Sequence, residues 1–331
     1  KDERLETTIE NATFEITGKP AIVASTTCNL TVNNADTSNC PYGTIAAEPN
    51  NHGAQSENLF PEIKIDGETP KYTAKVGEML CESEEFAKAE AGTSKTVEPL
   101  VATVGGKYFT TLKSAVESAT DGDVVELLKD ANGDGIIINS PAYPINDLTI
   151  DFGGHTYTVD GMLVGSTGSE TNGFQLLKDS TITFKNGKLT STKAKILIQN
   201  YCNLTLENIE LYGRNLNSSN PKYTLSNNNG DVVIKDTTIF AAAGMVAFDV
   251  CRFAAYTGPS VTVQGNSVIN GKVEISSDGP KDGARHELVI ENGTFNGAIE
   301  SVGASPNFTG HVYGGTFNTD VTPYVGQDTL A

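Results

Sequence analysis

The repeating unit of this chain is clearest in Leu288-Val289-Ile290-Glu291-Asn292-Gly293-Thr294-Phe295, in which two apolar segments flank an Asn-Gly pair. Nearly the same letters stand close to the N-terminus, as Ile9-Glu10-Asn11-Ala12-Thr13-Phe14. A short phrase that recurs at distant places in one chain is typical of a repeat protein. The phrase therefore predicts a stack of similar strand-turn-strand units.

The same pattern recurs as one template through most of the chain after residue 135. An apolar residue is followed two positions later by Gly, Asn or Asp, and five positions later by a second apolar residue. The first apolar position is held by Phe152, Phe184, Leu206, Ile234, Val263, Ile290 and Val312. The turn position is held by Gly154, Asn186, Asn208, Asp236, Gly265, Asn292 and Gly314. The second apolar position is held by Tyr157, Leu189, Leu211, Ile239, Val268, Phe295 and Phe317.

Successive copies of the template are separated by about 22 to 32 residues, a spacing typical of solenoid repeats. The turn residue must adopt a positive φ, which Gly, Asn and Asp tolerate. The flanking apolar side chains then point inward and stack on those of neighbouring coils, because one coil cannot bury its own face. The sequence thus predicts an all-β parallel β-helix, or β-solenoid.

Three segments are predicted along the chain. Residues 1–45 form N-terminal β rungs, with template copies at Ile9/Asn11/Phe14 and at Val32/Asn34, the second of which breaks the rule at Thr37. Residues 46–100 form an irregular linker with short strands, because Pro, Gly, Asn and charged residues interrupt the pattern there. Residues 101–331 form the parallel β-helix domain.

A short capping helix is predicted near residues 110–120. Four apolar residues fall on one face of that helix, and a preceding threonine can cap it. These apolar residues are Leu112, Ala115, Val116 and Ala119. The Gly105-Gly106 pair just before the helix predicts a hairpin over residues 101–109.

The charge of the chain restricts its partners. The formal net charge is −18 and the isoelectric point is near 4.6, so the surface repels phosphate backbones and anionic membranes. We therefore expect no nucleic-acid partner. No apolar run approaches the roughly 20 residues that span a bilayer, so we expect no membrane insertion. The abundance of Thr, Ser, Asn and Gly favours an extracellular or cell-surface β protein.

The five cysteines lack the close paired spacing of a zinc or haem site. Cys28 and Cys40 flank a polar loop and are the best candidates for a disulfide. Cys202 and Cys251 are a second candidate pair, which leaves Cys81 over. The alternative is five reduced, buried thiols, since free cysteine is among the most buried residue types.

Six Asn-X-Ser/Thr sequons offer candidate glycosylation sites, provided that the protein is secreted through a glycosylating pathway. These sites are Asn11, Asn29, Asn203, Asn217, Asn292 and Asn307. A chain this rich in Asn, Ser and Thr contains several such triplets by chance, so their number alone does not establish glycosylation.

Two stretches resemble a known group of proteins. Residues 101–128 are similar to the cap helix and first strand of right-handed parallel β-helix proteins of the pectin-lyase-like class, chiefly through Tyr108-Phe109-Thr110-Thr111-Leu112 and Asp121-Gly122-Asp123-Val124-Val125. The run Asp151-Phe152-Gly153-Gly154-His155 resembles an early rung of such modules in large bacterial surface or secreted proteins. The resemblance covers about residues 101–325 and implies a right-handed coil. Lyases, glycosidases, adhesins and tailspikes share this fold, so the fold leaves the function open.

Candidate catalytic residues are few. Of the segments typical of polygalacturonase-like members of the class, only Asn318-Thr319-Asp320 has a match here. The most enzyme-like cluster is Asp282, Arg285 and His286, and the alternative is a solvated, charged turn between rungs. Glycoside hydrolysis needs two facing carboxylates, and no rung shows an obvious pair.

The run from Asp130 to Gly135 resembles half of a calcium loop, with oxygen ligands at Asp130, Asn132 and Asp134. Alternating oxygen ligands suit Ca²⁺, but the glutamate that completes an EF-hand is absent at the required spacing. The first interpretation is therefore a Gly-rich turn, and calcium is the one cofactor that the sequence suggests.

Several aromatic residues in the array can form a strip on which sugars stack, although some of them must be interior. They are Tyr201, Tyr212, Tyr223, Phe253 and Tyr256. Exposed, coplanar tyrosines would favour a carbohydrate-binding module and hence a polysaccharide partner.

The N-terminal rungs have three alternative partners. Residues 5–40 can be the tail of a preceding module, can fold back onto this chain's own coil, or can stack on the open end of another subunit. The last arrangement joins subunits head to tail and builds a homo-oligomeric ring or filament.

The leading functional hypothesis is an extracellular structural or adhesive β-helix protein, self-assembling head to tail into a fibre or surface layer. The alternatives are a polysaccharide lyase or glycoside hydrolase of the β-helix class, and a non-catalytic carbohydrate-binding module. A flank cleft holding two or three convergent Asp or Glu residues with Lys or Arg would favour the enzyme.

Overall fold

The computed structural model describes residues 5–14, 22–25, 28–34, 45–48, 62–65, 72–75, 78–81, 95–96, 100–217, 223–278, 286–302 and 308–325. The chain divides into two compact units, Lys1–Thr111 and Leu112–Ala331. Strands dominate both units, and the described part of the chain contains no helix long and apolar enough to cross a membrane.

The first unit contains ten strands in the described ranges. They are β1 (Leu5–Glu10), β2 (Ile22–Ser25), β3 (Cys28–Asn33), β4 (Ile45–Glu48), β5 (Glu62–Ile65), β6 (Tyr72–Lys75), β7 (Glu78–Cys81), β8 (Lys95–Thr96), β9 (Ala102–Val104) and β10 (Lys107–Phe109). Strands β1, β3 and β5 form a parallel sheet, and β2 pairs in parallel with β4. β9 and β10 form an antiparallel hairpin whose Gly105 and Gly106 have φ of 57° and 78°, which confirms the predicted turn.

The N-terminal copies of the template adopt the predicted corner conformation. Ile9 pairs with Val32 in parallel register, and the following Asn11 and Asn34 have φ of 52° and 50°. Asn34 Nδ2 donates to Asn11 Oδ1 at 2.8 Å, so the two corners are also joined through their side chains. Strand β5 extends this stack into residues 46–100, the segment predicted to be an irregular linker.

The second unit contains one α-helix, twenty-one strands in the described ranges and a short 3₁₀ helix. They are α1 (Leu112–Ser118), β11 (Asp123–Leu127), β12 (Ala131–Gly133), β13 (Ile136–Ile138), β14 (Asp147–Asp151), β15 (Thr156–Val159), β16 (Asn172–Leu176), β17 (Thr181–Ser191), β18 (Ile196–Asn200), β19 (Asn203–Tyr212), β20 (Tyr223–Asn227), β21 (Gly230–Lys235), β22 (Thr238–Phe240), β23 (Val246–Phe253), β24 (Pro259–Gln264), β25 (Val268–Asn270), β26 (Lys272–Asp278), β27 (His286–Ile290), β28 (Thr294–Phe295), β29 (Ile299–Val302), β30 (Phe308–Val312), β31 (Thr316–Phe317) and the 3₁₀ helix Thr322–Tyr324.

These strands stack in parallel into a β-solenoid of about eight coils, which confirms the predicted fold class. One sheet, here called the long sheet, runs β11-β14-β17-β19-β21-β24-β27-β30 and continues around a corner through β12, β15, β22, β25, β28 and β31. The other, the seven-stranded sheet, runs β13-β16-β18-β20-β23-β26-β29. Seven of the eight coils contribute strands to both sheets, the coil of β30 and β31 only to the long sheet, and the apolar core lies between the sheets.

The predicted columns of apolar residues form this core. All seven residues at the first apolar position are buried, the most exposed being Val312 at 8%. Phe184 pairs with Leu206 and Leu206 with Ile234, so these side chains stack directly along the coil axis. Rings pack edge to face within the same core, with centroids 5.2 Å apart between Phe174 and Phe184.

The turn position is correct in most coils and displaced in two. Asn186, Asn208 and Asp236 have φ between 49° and 57°, and Gly154 and Gly265 have φ of 82° and 67°. In the last two coils the left-handed residue is Gly293 (φ 135°) and Gly315 (φ 118°), so the prediction of Asn292 and Gly314 was wrong by one residue. Both residues are glycines, which adopt a positive φ without a Cβ clash.

Two of the predicted column members also change. Val268 is only half-buried, whereas Ile269 is fully buried and pairs with Ile239 in the same column. In the coil of β14, where the first template copy lies, Ile150 pairs with Phe184, while Phe152 is buried inside the corner that follows. Both corners contain more residues than the template allows, and the extra residues shift the alignment.

The capping helix forms as predicted. Helix α1 buries Leu112, Ala115 and Val116, and Ala119 follows its last turn half-buried. These are the residues that the helical periodicity placed on one face.

Candidate functional site

The corners that follow the seven-stranded sheet differ in length, and this difference shapes the surface. Four residues (177–180) connect β16 to β17, and five residues (254–258) connect β23 to β24. Only two residues lie between β18 and β19 (201–202) and between β20 and β21 (228–229). Two protruding corners thus flank two flat ones, which leaves a recess across four coils, about 14 Å along the stack at ordinary strand spacing.

This recess is a cavity of about 450 Å³, here called the corner pocket. Its lining residues are Lys178, Asp179, Asn229, Ala254, Ala255, Tyr256 and Thr257. The volume lies within the range of small-molecule sites, which combine an apolar wall with a few polar groups.

Tyr256 forms the aromatic wall of the corner pocket, and two other rings support it. Its ring centroid lies 5.1 Å from that of Tyr201 and 6.5 Å from that of Phe253, to which it is stacked with an interplanar angle of 28°. Burial, followed by the neighbouring Tyr256, raises the pKa of Tyr201 to about 12. The wall is therefore a packed cluster whose rings lose little freedom when a ligand binds.

The corner that carries Tyr256 is held by Asn229. The Asn229 amide nitrogen donates to the Tyr201 carbonyl at 3.0 Å, and its oxygen accepts from Thr257 Oγ1 and from the Gly258 amide, both at 3.2 Å. Ala254 has φ of 48°, an unfavourable conformation for a residue with a Cβ. A strained residue inside a clamped corner is typical of sites where geometry matters more than local stability.

The opposite wall of the corner pocket is charged. Lys178 Nζ lies 3.2 Å from Asp179 Oδ2, and both side chains are exposed. Asp179 has φ of 65°, and Asn139 Nδ2 donates to the Lys178 carbonyl at 2.8 Å, which fixes this corner as well. The pocket therefore combines an aromatic wall with an ion pair on its far rim.

A second feature lies on the same flank. Asp249, Glu274 and Glu300 occupy matching positions on β23, β26 and β29, and are here called the carboxylate row. Lys272 Nζ donates to Glu300 Oε2 at 3.0 Å, and Tyr223 Oη donates to Glu274 Oε1 at 2.8 Å. Because Tyr223 lies on β20 and Glu274 on β26, this hydrogen bond spans β23.

Asp249 is the buried member of the carboxylate row, with 3% of its surface exposed. One of its carboxylate oxygens accepts a hydrogen bond from the backbone N–H of Asn227. Burial and then the neighbouring Glu274 charge hold the pKa of Asp249 well above its usual range, against the effect of that hydrogen bond. One carboxyl of the row thus favours its protonated form beside a half-buried neighbour.

No family model matches the chain, and searches of the curated proteins and of the solved structures found no match either. The parallel β-solenoid therefore rests on the chain's own strands and register. The chemistry of the corner pocket and of the carboxylate row is the remaining guide to function.

Of the predicted catalytic cluster, the structure describes only His286. His286 is buried at 2% exposure at the start of β27, where its Nε2 meets the Val250 carbonyl and its ring lies edge-on to Phe308, with centroids 5.4 Å apart. Burial lowers the pKa of His286, which suits a neutral core imidazole. Asp282 and Arg285 lie outside the described residues.

The predicted calcium ligands hold neighbouring coils together. Asp130 Oδ1 accepts from the Thr156 amide and Asp134 Oδ1 from the Met162 amide, each at 2.8 Å. Asn132 is exposed on the short strand between them. In the part of the chain that the structure describes, no three His, Cys, Asp or Glu side chains come together to hold a metal ion.

Cys202 and Cys251 are buried thiols that the structure does not join in a disulfide. Cys202 lies in a two-residue corner and Cys251 within β23, and burial raises the pKa of the Cys202 thiol to about 12. Cys40 lies outside the described residues, so its pairing with Cys28 stays a prediction.

The sequons fall on different surfaces. Asn11, Asn203 and Asn292 are exposed, and Asn29 and Asn217 are half-buried. Asn307 lies outside the described residues. Glycosylation at any of these positions stays a prediction.

The predicted aromatic strip is three separate groups. Tyr201, Phe253 and Tyr256 meet at the corner pocket, whereas Tyr223 contacts Glu274. Tyr212 lies on β19 beside Phe240, at a centroid distance of 5.5 Å, and Lys188 Nζ lies 4.2 Å from the Tyr212 ring centroid. The corner pocket and the carboxylate row could not be predicted from the sequence, because both depend on the register of the seven-stranded sheet, whose strands follow no repeating template.

Proposed function

We propose that this chain is an extracellular or cell-surface adhesive β-solenoid protein of the pectin-lyase-like class, which binds a polysaccharide in the corner pocket. The observation that carries the proposal is the Tyr256 ring. It packs against Tyr201 and, together with polar groups, lines a cavity of about 450 Å³. Aromatic rings with a polar tip suit ligands that have both an apolar face and hydroxyl groups.

A sugar ring can contact both walls of the corner pocket. Its C–H face can stack on Tyr256, while its hydroxyl groups meet the exposed Thr257 and the Lys178–Asp179 pair across the cavity. The recess spans four coils, so more than one sugar unit of a chain can lie along it. A solenoid that presents such a site on its flank is suited to adhesion.

Glycan binding by the Tyr256→Ala variant tests this proposal. We expect the dissociation constant for a bound oligosaccharide, measured by calorimetry, to rise on the order of tenfold, because the stacking surface is lost. The matched control is Tyr212→Ala, which removes a half-buried tyrosine from another surface. Equal affinity of Tyr256→Ala and the parent chain would contradict the proposal.

Hydrolysis of a glycan is a second candidate function, favoured by the in-register pair Asp249 and Glu274. Adjacent strands lie about 4.8 Å apart, close to the separation of about 5 Å between the carboxyl groups of retaining glycosidases. The protonated Asp249 would act as the acid and Glu274 as the second carboxylate. Asp249 is buried, and the Tyr223–Glu274 hydrogen bond crosses the strand that carries it, so catalysis would require this part of the flank to open.

The release of reducing ends from oligosaccharides tests this second function. We expect Asp249→Asn and Glu274→Gln each to abolish product formation, whereas Glu287→Gln, on the long sheet, leaves it unchanged. Product formation that persists in both variants would exclude this pair as the catalytic carboxylates.

A further inference from the structure

We infer that the corner pocket selects neutral hexose chains and discriminates against polyuronates. This specificity rests on the proposed glycan binding and adds the class of ligand. Its basis is the distribution of charge around Tyr256 and the surface that the ring offers.

The cation on the pocket rim is already engaged. Among the described residues that line the corner pocket, Lys178 is the only cation, and its ammonium group lies 3.2 Å from the Asp179 carboxylate. A uronate carboxylate would have to compete with Asp179 for this group while remaining close to that second negative charge. A neutral sugar has no carboxylate, so it neither competes with Asp179 for Lys178 nor is repelled by Asp179.

The charge of the whole chain also disfavours a polyuronate. The net charge of −18 adds a repulsion that acts over a Debye length of about 8 to 10 Å.

The remaining contacts of the corner pocket suit uncharged hydroxyl groups. Thr257 is exposed, and its hydroxyl donates to Asn229, which leaves its oxygen lone pairs directed toward incoming donors. Tyr256 supplies the apolar surface. Hexoses whose hydroxyl groups are equatorial present a C–H face to such a ring, so a neutral glucan has the matching shape and charge.

Binding of matched glycans to the whole chain tests this specificity. The probes are a neutral β-glucan oligosaccharide, polygalacturonate, and polygalacturonate whose carboxyl groups are methyl-esterified. We expect the esterified polymer to bind on the order of tenfold more tightly than the free acid at low salt. The difference should shrink at 1 M salt, where the Debye length is about 3 Å.

The Asp179→Asn variant tests the role of the rim ion pair. Freeing Lys178 should strengthen polygalacturonate binding by on the order of threefold to fivefold and leave neutral glucan binding unchanged. Asp147→Asn removes an exposed aspartate from the long sheet and serves as the control for net charge.

The outcomes separate the specificity from the proposed function. Equal binding of the acid and its ester, with both weakened by Tyr256→Ala, would overturn the selectivity and leave glycan binding in place. Binding of polygalacturonate alone would overturn the selectivity outright. Failure of every glycan to bind would remove the proposed function and, with it, this inference.

Discussion

At the residue scale, the corners of the solenoid depend on side chains that tolerate a positive φ and also bind one another. Asn208 Nδ2 donates to Asn186 Oδ1, and Asn186 Nδ2 donates to the Asp151 carboxylate, each at 3.1 Å. Both asparagines have φ above 50°. One residue type thus satisfies the backbone conformation and links three successive coils.

Substitution of Asn208 separates these two contributions. Asn208→Gly keeps the positive φ and loses only the side-chain hydrogen bond, which should cost about 1 kcal/mol of unfolding free energy. Asn208→Ala loses the same hydrogen bond and also places a residue with a Cβ in the left-handed region. Its free energy of unfolding should therefore fall by about 1 to 2 kcal/mol more than that of Asn208→Gly. Urea unfolding of the two variants measures the difference, and equal stability would show that the backbone conformation contributes nothing.

Asp249 should make stability depend on pH in a defined direction. Its folded-state pKa is raised by burial, so the folded chain keeps this proton above the unfolded pKa of about 3.9. The free energy of unfolding therefore falls as pH rises from about 4 toward the folded-state pKa. Asp249→Asn should lack this contribution, so its stability relative to the parent should increase with pH.

Chemical unfolding at several pH values between 4 and 7 measures this effect. Contributions from the other carboxylates are common to both proteins and cancel in the comparison. Asp147→Asn, at an exposed position of β14, is the control. A pH-independent difference between Asp249→Asn and the parent would show that Asp249 titrates alike in the folded and unfolded chains.

One buried group shows where a column of hydrogen bonds ends. Asn200 Nδ2 donates to Asn227 Oδ1 at 2.9 Å inside the coil, and among the described residues the side-chain nitrogen Nδ2 of Asn227 has no partner. The register that pairs Leu225 with Phe248 brings Val250 to the next place in this column, where no acceptor side chain is available. A buried donor without a partner lowers the free energy of unfolding by about 1 to 3 kcal/mol.

At the element scale, the corrected register of β25 gives a direct test. Ile269→Ala removes a fully buried side chain from the core column and should cost about 2 to 5 kcal/mol. Val268→Ala, one residue earlier on the same strand, should cost less than about 1 kcal/mol because this side chain is half-buried. Thermal or denaturant unfolding that ranks the two in the opposite order would contradict the register.

The strands of the long sheet could be predicted from the sequence, and those of the seven-stranded sheet could not. Along β19 buried and less buried residues alternate around a corner asparagine, so the periodicity is visible in the letters. Strands β16 and β23 are buried on both faces and show no alternation. The corner pocket lies beyond strands of this second kind, so its position could not be derived from the template.

Individual site residues were predicted only in part for a related reason. Tyr201, Phe253 and Tyr256 were named as sugar-binding aromatics, and the structure brings these three together. Their separation from Tyr212 depends on which strand follows which corner. Asp249 and Glu274 are 25 positions apart in sequence, and only the parallel register makes them neighbours.

At the scale of the whole molecule, the sheet ends determine how copies can associate. Strand β1 is the edge of its three-stranded sheet and β30 is an edge of the long sheet. Unpaired strand edges are templates for pairing with another chain. We propose that copies join head to tail through these edges.

Sedimentation at micromolar concentrations tests this assembly. Leu5 is 70% exposed on β1, and Leu5→Lys should shift the distribution toward the monomer. Met162→Lys changes a side chain that is equally exposed, at 72%, away from the strand edges and should have no effect. The proposal fails if the parent chain and Leu5→Lys both sediment as monomers at every concentration.

The unequal corners have a consequence for how such a scaffold can acquire new specificities. A corner protrudes from the stack without taking part in the strand register, so insertions and deletions there are tolerated far better than in β17 or β23. Shortening the corner at 254–258 to two residues should level the recess and leave the coils stacked. Lengthening the corner at 228–229 should divide the recess into two parts. Evolution, or an engineer grafting loops, can therefore exchange the ligand of this flank one corner at a time on an unchanged core.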